Sequence, residues 1–489
     1  MQNAAVRPVE AHSWLAPAAL IVLAVTVFRI VLLAFNRTDL FVDETQYWLW
    51  GQELAFGYYS KPPLIGWVIR ASTELGGSDA AFWIRLPAPL LQGATAMILG
   101  AVAAPRFGYR VTVWVVATFV TLPMVTLGSL MISTDTVMAP FLALGLWAWL
   151  RSLDRGGSKG MAILAGIAVG LGFLAKYAAI YYLLCAALAA LANPRARPGW
   201  RAASLGLTAF LITVSPNIVW NLRNGLSTLE HTLDNADWVR ETGENPALNP
   251  AALAEFFVSQ FAVFGPVLFA GLLWLGLRYR HQKPALQFML LFSLPIVAIV
   301  CVQALLSHAY ANWAAAAYIA GTIAVVPWLL ERPVAWRIGS LAFQVSIAIV
   351  LPALTVAGTG LRLGENGPLL LERYLGRSEM SQRILAEARA AGVDTVVAKN
   401  RDILADLFYR TRDGDIRVFA QPVDGRAPNH YVLRHALPAD VSGQVLFVTG
   451  DDAPDLPCTP ERRGLIAPAD GAFVHHRQRL FLVPAECLR

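Results

Sequence analysis

Apolar residues in this chain run in long unbroken blocks, not in the short periods of a half-buried strand or surface helix. The blocks fall at roughly 14–35, 82–104, 111–128, 136–150, 161–175, 177–192, 203–221, 253–277, 285–306, 311–330 and 338–357. The first, Trp14 to Phe35, holds 22 residues, enough to cross a bilayer core of roughly 30 Å as a helix. The pattern therefore predicts about eleven transmembrane helices. Two blocks, 161–175 and 177–192, are short and meet at Lys176, so they read either as a hairpin or as one helix with a mid-membrane lysine. The basic residues favour the hairpin. With the N-terminus inside, the loops 105–110, 151–160, 193–202, 278–284 and 331–337 all carry Arg or Lys on the cytoplasmic side, while the turns 129–135 and 307–310 carry none. Merging the short blocks reverses every later loop and breaks that agreement.

Between the blocks, two longer polar stretches face the opposite side, the loops 36–81 and 222–252. Asp43 to Phe56 in the first reads as a short amphipathic helix, and Pro62-Pro63 start a second, since proline suits the first helical turn. From about Gly358 the pattern becomes that of a water-soluble α/β unit. Met380–Ala391 and Asp402–Tyr409 are predicted helical, with strands at Thr395–Ala398, Ile416–Ala420, Tyr431–Leu433 and Val445–Val448. The predicted fold class is an all-α polytopic membrane domain, residues 1–357, followed by a small periplasmic α/β domain, residues 358–489.

Composition agrees with a membrane protein: of 489 residues 56% are hydrophobic and only 15% charged. The net charge of +6 does not mark a nucleic-acid binder. From Leu361 onward 17 Lys/Arg balance 17 Asp/Glu, so the excess sits in the short basic loops and serves orientation. Cys185 and Cys301 lie inside apolar blocks, whereas Cys458 and Cys487 lie in the tail and are free to pair in an oxidising compartment. No repeat, glycine-rich phosphate loop, His–Cys metal spacing or serine- or cysteine-nucleophile signature is present.

Polar residues with chemical potential gather at one predicted membrane face. Asp43, Glu44 and Lys61 lie in the first outer loop, Asp135 opens the fourth block and Lys176 sits at the hairpin tip. Arg223, Glu230 and His231 follow the seventh block, and His308 and Asn312 occupy the turn before the tenth. Plainer readings exist for several of them. Asp43 with Gln46 fits a helix cap, Asp135 fits another, and Lys61 reads as a snorkelling side chain. Tyr47, Tyr58 and Tyr59 suit either an interfacial aromatic belt or the face of a sugar. Arg29, inside the first block, calls for an acid on another helix. Lysines and arginines beside carboxylates at a bilayer surface match an anionic, lipid-anchored substrate: the bases bind its phosphate and a carboxylate takes the proton of an attacking hydroxyl.

Asp43-Glu44-Thr45-x-Tyr47, Lys61-Pro62-Pro63, Ser133-Thr134-Asp135-Thr136, Gly170-Leu171-Gly172-Phe173-Leu174-Ala175-Lys176 and His308-Ala309-Tyr310-Ala311-Asn312-Trp313, in that order, resemble the GT-C membrane glycosyltransferases. The nearest branch is that of the bacterial protein O-mannosyltransferase and aminoarabinose–lipid A transferase relatives. The resemblance covers roughly residues 14–330. It implies an inverting glycosyltransferase of the bacterial inner membrane with a polyprenyl (undecaprenyl) phosphate-sugar donor. The implied acceptor is periplasmic, such as lipid A, lipopolysaccharide or another envelope glycan. It further implies that Asp43 acts as base or acceptor-binding acid and that Lys61 lies near the donor phosphate. With the residues gathered at the same face, the candidate site comprises Asp43, Glu44 and Asp135 as catalytic, Lys61, Lys176 and Arg223 as donor-phosphate-binding, and Tyr47, Tyr58, Tyr59, His231, His308 and Asn312 as substrate-binding residues. Where the aminoarabinose transferases carry Glu-Lys-Pro-Pro, this chain has Ser60-Lys61-Pro62-Pro63. That glutamate is linked with metal binding, so a divalent metal is left open here, and no cofactor is required by the motifs. Two rivals share the polytopic pattern, a lipid or oligosaccharide flippase and a protein O-glycosyltransferase; a flippase is expected to show repeats and polar residues reaching both faces.

Overall fold

The computed structural model describes residues 14–154, 158–235, 248–365 and 367–489. Arg155 of the basic loop 151–160 and the centre of the loop 222–252 lie outside the described residues. The chain divides into two compact units, one made of residues 1–34, 61–68 and 85–352, the other of residues 35–60, 69–84 and 353–489.

The first unit is helical. Among the described residues six helices are long and apolar enough to cross a bilayer: Leu15–Ala34, Ala81–Thr121, Thr134–Leu153, Trp200–Arg223, Pro284–Leu306 and Val334–Ala357. Shorter apolar helices cover Lys159–Ala175, Tyr177–Ala192 and Ala317–Leu330. The apolar blocks thus have helical counterparts, but not as eleven straight rods. Blocks 82–104 and 111–128 join into one helical run broken at Gly108, whose φ of 77° a residue with a side chain rarely adopts. Block 253–277 is two helices, Pro250–Val263 and Pro266–Leu277, bent by 115°. Gly265 at φ 97° makes the corner and Pro266 opens the second arm.

Small residues let the helix that ends just before Lys176 approach its neighbours closely. Helix Lys159–Ala175 packs against Thr134–Leu153, with Gly145 under Val169, and against Trp200–Arg223. At the second crossing a Cβ on Gly166 would stand 2.0 Å from the carbonyl oxygen of Gly206, and Gly170 faces Thr213. Such backbone-to-backbone contact is how helices associate where hydrophobic driving force is weak. It fixes where the end of this helix, and Lys176 after it, must lie. Arg29 is 1% exposed and finds no acid among the described residues. Its guanidinium donates to the Val120 carbonyl at 2.7 Å, Thr126 Oγ1 at 2.9 Å and Ser129 Oγ at 3.1 Å. The helix ends at Thr121 and Pro123 starts a new one, so a carbonyl freed at that break, with two nearby hydroxyls, takes the place of the expected acid.

The second unit is built on a five-stranded sheet of β1 (Thr395–Ala398), β2 (Arg417–Ala420), β3 (Gln444–Thr449), β4 (Glu461–Ile466) and β5 (Gln478–Pro484), in the order β2-β1-β3-β5-β4. β1 runs parallel to β2 and β3, while β5 is antiparallel to β3 and β4. Helices Arg377–Ala390 and Arg401–Arg410 fall where expected. The stretch 431–433 does not form a strand. It lies in a helix, His430–His435, because the Asn429 side chain accepts the Val432 N–H at 3.0 Å and caps a helical turn. Cys458 and Cys487 form a disulfide that closes the end of the chain onto the sheet.

The loop after the first span belongs to this unit except for residues 61–68. Its helix, Val42–Gln52, packs on Arg401–Arg410, and Val42 is buried in the same core as Ile403, Leu404 and Leu407. Asp39 accepts the backbone N–H of Arg377 at 2.8 Å, capping a helix that lies more than three hundred residues away in sequence. Trp48 Nε1 and the Tyr409 hydroxyl both bond Asp79, at 2.9 and 2.8 Å.

The Gly166–Gly206 contact generates a stability test. Gly166→Leu should lower the unfolding midpoint of the detergent-solubilised protein by an amount matching about 1–3 kcal/mol of overpacking. Gly160→Ala, where a Cβ meets only Ser158 Oγ at 3.2 Å, should be close to neutral. Equal midpoints for the two variants would show that the crossing is not tight.

Candidate active site

In the membrane unit the centre of the site is an ion pair. Helix Thr134–Leu153 is capped by Ser133, whose hydroxyl accepts the Thr136 N–H at 3.2 Å. Asp135 is thereby released from capping, the plainer role open to it. Lys176 sits at the break between Ala175 and the 3₁₀ turn Tyr177–Ala179, with its backbone extended. Its ammonium donates to both oxygens of Asp135, each at 2.8 Å, and Asn312 Nδ2 donates to Oδ2 at 2.8 Å. The two charged side chains are only 16% and 15% exposed. At that depth neither charge is tolerable alone, so the pair is mutually required.

The next residue extends the polar patch. The Tyr177 hydroxyl donates to Asn217 Oδ1 at 3.0 Å and accepts from Asn221 Nδ2 at 3.2 Å. Asn217 and Asn221 are buried one turn apart in Trp200–Arg223, a spacing that marks a polar stripe inside an apolar helix and that the sequence reading passed over. In the turn before Ala311, His308 Nδ1 lies 3.0 Å from Ser307 Oγ, with the rings of Tyr310 and Trp313 packed beside the imidazole. Lys61 opens the segment 61–68 of this unit and is half-buried. Arg223 is the exposed last residue of its helix; Glu230 and His231 lie on Ser227–Asn235. A cavity of about 230 Å³ elsewhere in this unit is lined by residues such as Trp149, Val169, Tyr182 and Phe292 and by no charged side chain, so it is unsuited to an anionic head group.

In the second unit the acids of the first loop separate in role. Helix Val42–Gln52 starts one residue earlier than expected, so Phe41 is its cap residue and Glu44 is the third helical position. Glu44 is fully buried and its carboxylate accepts the Phe41 N–H at 2.9 Å. Capping falls to Glu44, not to Asp43. Asp43 instead accepts from Arg401 Nη2 at 2.6 Å, and Arg401 Nε donates to Gln46 Oε1 at 3.0 Å. Asp43 is 46% exposed and Arg401 38%, so solvent screening leaves the pair worth about 0–1 kcal/mol of stability. Arg401 lies far from every motif and gave no signal in the sequence.

The tyrosines of the loop are framework. Tyr47, Tyr58 and Tyr59 are buried; Trp50 and Tyr58 stack at 4.8 Å. The Tyr58 hydroxyl donates to the Trp50 carbonyl at 2.7 Å and that of Tyr59 to the Ala427 carbonyl at 3.2 Å. His430 meets the Trp50 ring edge-on, and burial, helped by the charges of His435, Arg434 and Arg401, pushes its pKa down to about 3. Among the described residues no group of three or more His, Cys, Asp or Glu gathers as a metal site.

A family model described as dolichyl-phosphate-mannose-protein mannosyltransferase matches residues 60–220, a stretch that contains Lys61, Asp135 and Lys176. Over 473 residues, 96% of this chain and 98% of the relative, the sequence is 41% identical to the lipid A galacturonosyltransferase RgtD of Rhizobium johnstonii. Two crystal structures of ArnT from Cupriavidus metallidurans share the fold at 14% identity. The apo form aligns with a TM-score of 0.62 over 97% of this chain and 99% of that one. The form bound to undecaprenyl phosphate aligns at 0.63 over 96% and 98%.

Two outcomes follow from this geometry. Asp135→Asn or Lys176→Met alone leaves one desolvated charge and should destabilise the protein by on the order of 3 kcal/mol, while the double variant should recover much of that loss. Additive losses in thermal unfolding would mean that the two charges do not depend on each other. The second outcome concerns His430, whose folded pKa lies below its unfolded value. Below pH 6.5 the unfolded chain takes up a proton that the folded chain refuses, so stability should fall as pH drops from about 6.5 to 5, with a limiting slope of about 1.4 kcal/mol per unit from this group. Urea unfolding followed by tryptophan fluorescence should show a flatter dependence in His430→Phe; an unchanged slope would assign the effect to other groups.

Proposed function

The chain belongs to the GT-C membrane glycosyltransferases, and from that premise we propose that it transfers a uronic acid from a polyprenyl phosphate to lipid A. The observation that carries this reading is the identity to a lipid A galacturonosyltransferase along almost the whole chain. The fold shared with ArnT, one structure of which holds undecaprenyl phosphate, supports a donor of that class. A flippase reading has no comparable support.

In the proposed reaction an acceptor oxygen attacks the anomeric carbon on the face opposite the polyprenyl phosphate. The new carbon–oxygen bond forms as the bond to the phosphate oxygen breaks, and the electron pair leaves on the phosphate. Asp43 takes the acceptor proton; Lys61 and Arg223 carry the charge that the leaving phosphate needs. Lys176, whose charge Asp135 already meets, adds to that field as a member of a fixed triad in which Asn312 holds the carboxylate. Glu44 contributes by holding the start of its helix, and Tyr47, Tyr58 and Tyr59 by holding its frame. His231 and His308 are assigned to the acceptor side. The charge being supplied by lysine and arginine, no cofactor is part of the proposal.

The topology is proposed with it: eleven crossings, the basic loops in the cytoplasm, residues 1–357 as the membrane transferase domain and residues 358–489 in the periplasm of a bacterial inner membrane. The disulfide between Cys458 and Cys487 supports an oxidising compartment for the tail.

Mass spectrometry of lipid A from a strain lacking this protein should show the loss of one hexuronosyl residue, restored by the intact gene. Asp43→Asn, nearly isosteric, should restore membrane insertion but not the sugar, with turnover down by roughly 10²–10⁴ as for a lost general base. Unchanged lipid A in the deletion strain would overturn the acceptor; full turnover in the Asn variant would remove Asp43 from the chemistry.

A further inference from the structure

We propose that Arg401, carried by the C-terminal half of the chain, positions Asp43 for proton transfer, an inference that rests on the reading of Asp43 as the base. The guanidinium is held at two points. Its Nη2 donates to Asp43 Oδ1 at 2.6 Å and its Nε to Gln46 Oε1 at 3.0 Å. Asp43 and Gln46 are three residues apart on one helix face, so the planar fork spans the first turns of Val42–Gln52 and fixes the carboxylate against them. Only one carboxylate oxygen is engaged. A bidentate pairing would have occupied both, whereas this end-on contact leaves Oδ2 without a hydrogen bond among the described residues.

Arg401 is itself held firmly. It is the first residue of helix Arg401–Arg410, whose cap Asn400 accepts the Asp402 N–H at 2.7 Å, and this helix packs on Val42–Gln52. A structural cross-link is the competing explanation, but a pair so open to water contributes little to folding. Positioning is worth far more, since a displacement of about 1 Å at a reacting group can cost roughly 10² in rate. During transfer the proton passes from the acceptor oxygen to Oδ2 as the sugar–oxygen bond forms and the polyprenyl phosphate departs with its electron pair. Arg401 keeps its proton throughout, and Asp43 later returns its own to water.

The test uses the full-length enzyme in nanodiscs with a polyprenyl-phosphate uronosyl donor and lipid A. Arg401→Met should lower kcat by about 10- to 100-fold, with KM for the donor within about twofold of the original. Arg401→Lys should restore part of the rate, and Asp43→Asn/Arg401→Met should be no slower than Asp43→Asn alone. Near-normal kcat in Arg401→Met or a further multiplicative loss in the double variant would each overturn the proposal. Should Arg401→Met fail to fold, Gln46→Met removes the second anchor and keeps both charges. A several-fold fall in its kcat at constant KM is then expected, and unchanged kcat in both Gln46→Met and Arg401→Lys would overturn it. If Asp43→Asn is itself active, the assignment of the base is what fails; if that variant is dead while Arg401→Met is normal, only the present inference does.

Discussion

A lysine placed in an apolar setting has to be answered by negative charge, and in the membrane unit that requirement organises everything around Lys176. The answer comes from Asp135, on the helix immediately before Lys159–Ala175, and it is available only because Ser133 has taken over the capping of that helix. The close crossing at Gly145 brings the two helices to the separation at which the ammonium and carboxylate meet, while those at Gly166 and Gly170 hold the lysine's helix against Trp200–Arg223. Packing of small residues and pairing of charges are thus one arrangement seen from two sides. Neither the glycines nor the acid explains the geometry without the other.

Much of this was readable from the residues, because bilayer-length apolar blocks are a coarse and strong signal. The helix break at Lys176, the run of helices and the first half of the sheet follow from block length and local periodicity. What escaped was mostly decided by single residues. Gly108 and Gly265 turn continuous apolar blocks into broken helices through a backbone conformation that hydropathy does not register. Asn429 converts an apolar triplet with strand-like composition into a helical turn. β4, with its exposed arginines, lacks the apolar run that would announce a strand.

The candidate site was legible in its motifs but not in its pairings. Asp135, Lys176 and Asn312 were each singled out, yet nothing in their sequence separation says that they meet. Asp43 and Glu44 are adjacent and chemically alike, and a shift of one residue in the helix start decides which of them caps and which faces Arg401. Arg401 and the Asn217–Asn221 stripe were missed for a common reason: a lone arginine in a soluble domain and two amides in a helix are ordinary until their partners are known. Arg29 shows the converse, where the expectation of an acid was reasonable and the freed backbone oxygen of a broken helix did the same work.

The capping of helix Arg377–Ala390 by Asp39, and the burial of Val42 in the core beneath the sheet, tie the earliest hydrophilic stretch of the chain to its last domain. During synthesis the helix Val42–Gln52 is therefore made hundreds of residues before the surface it rests on. Until the final strand arrives it must wait with Trp48 and Trp50 uncovered, the slow kind of assembly that non-local contacts impose. A ribosome that stalls after the last apolar helix would leave a complete membrane bundle whose first loop has no fold. Conversely, residues 353–489 produced by themselves would lack both a core side chain and the cap of their first long helix, so the tail is not a module that can be detached and carried elsewhere.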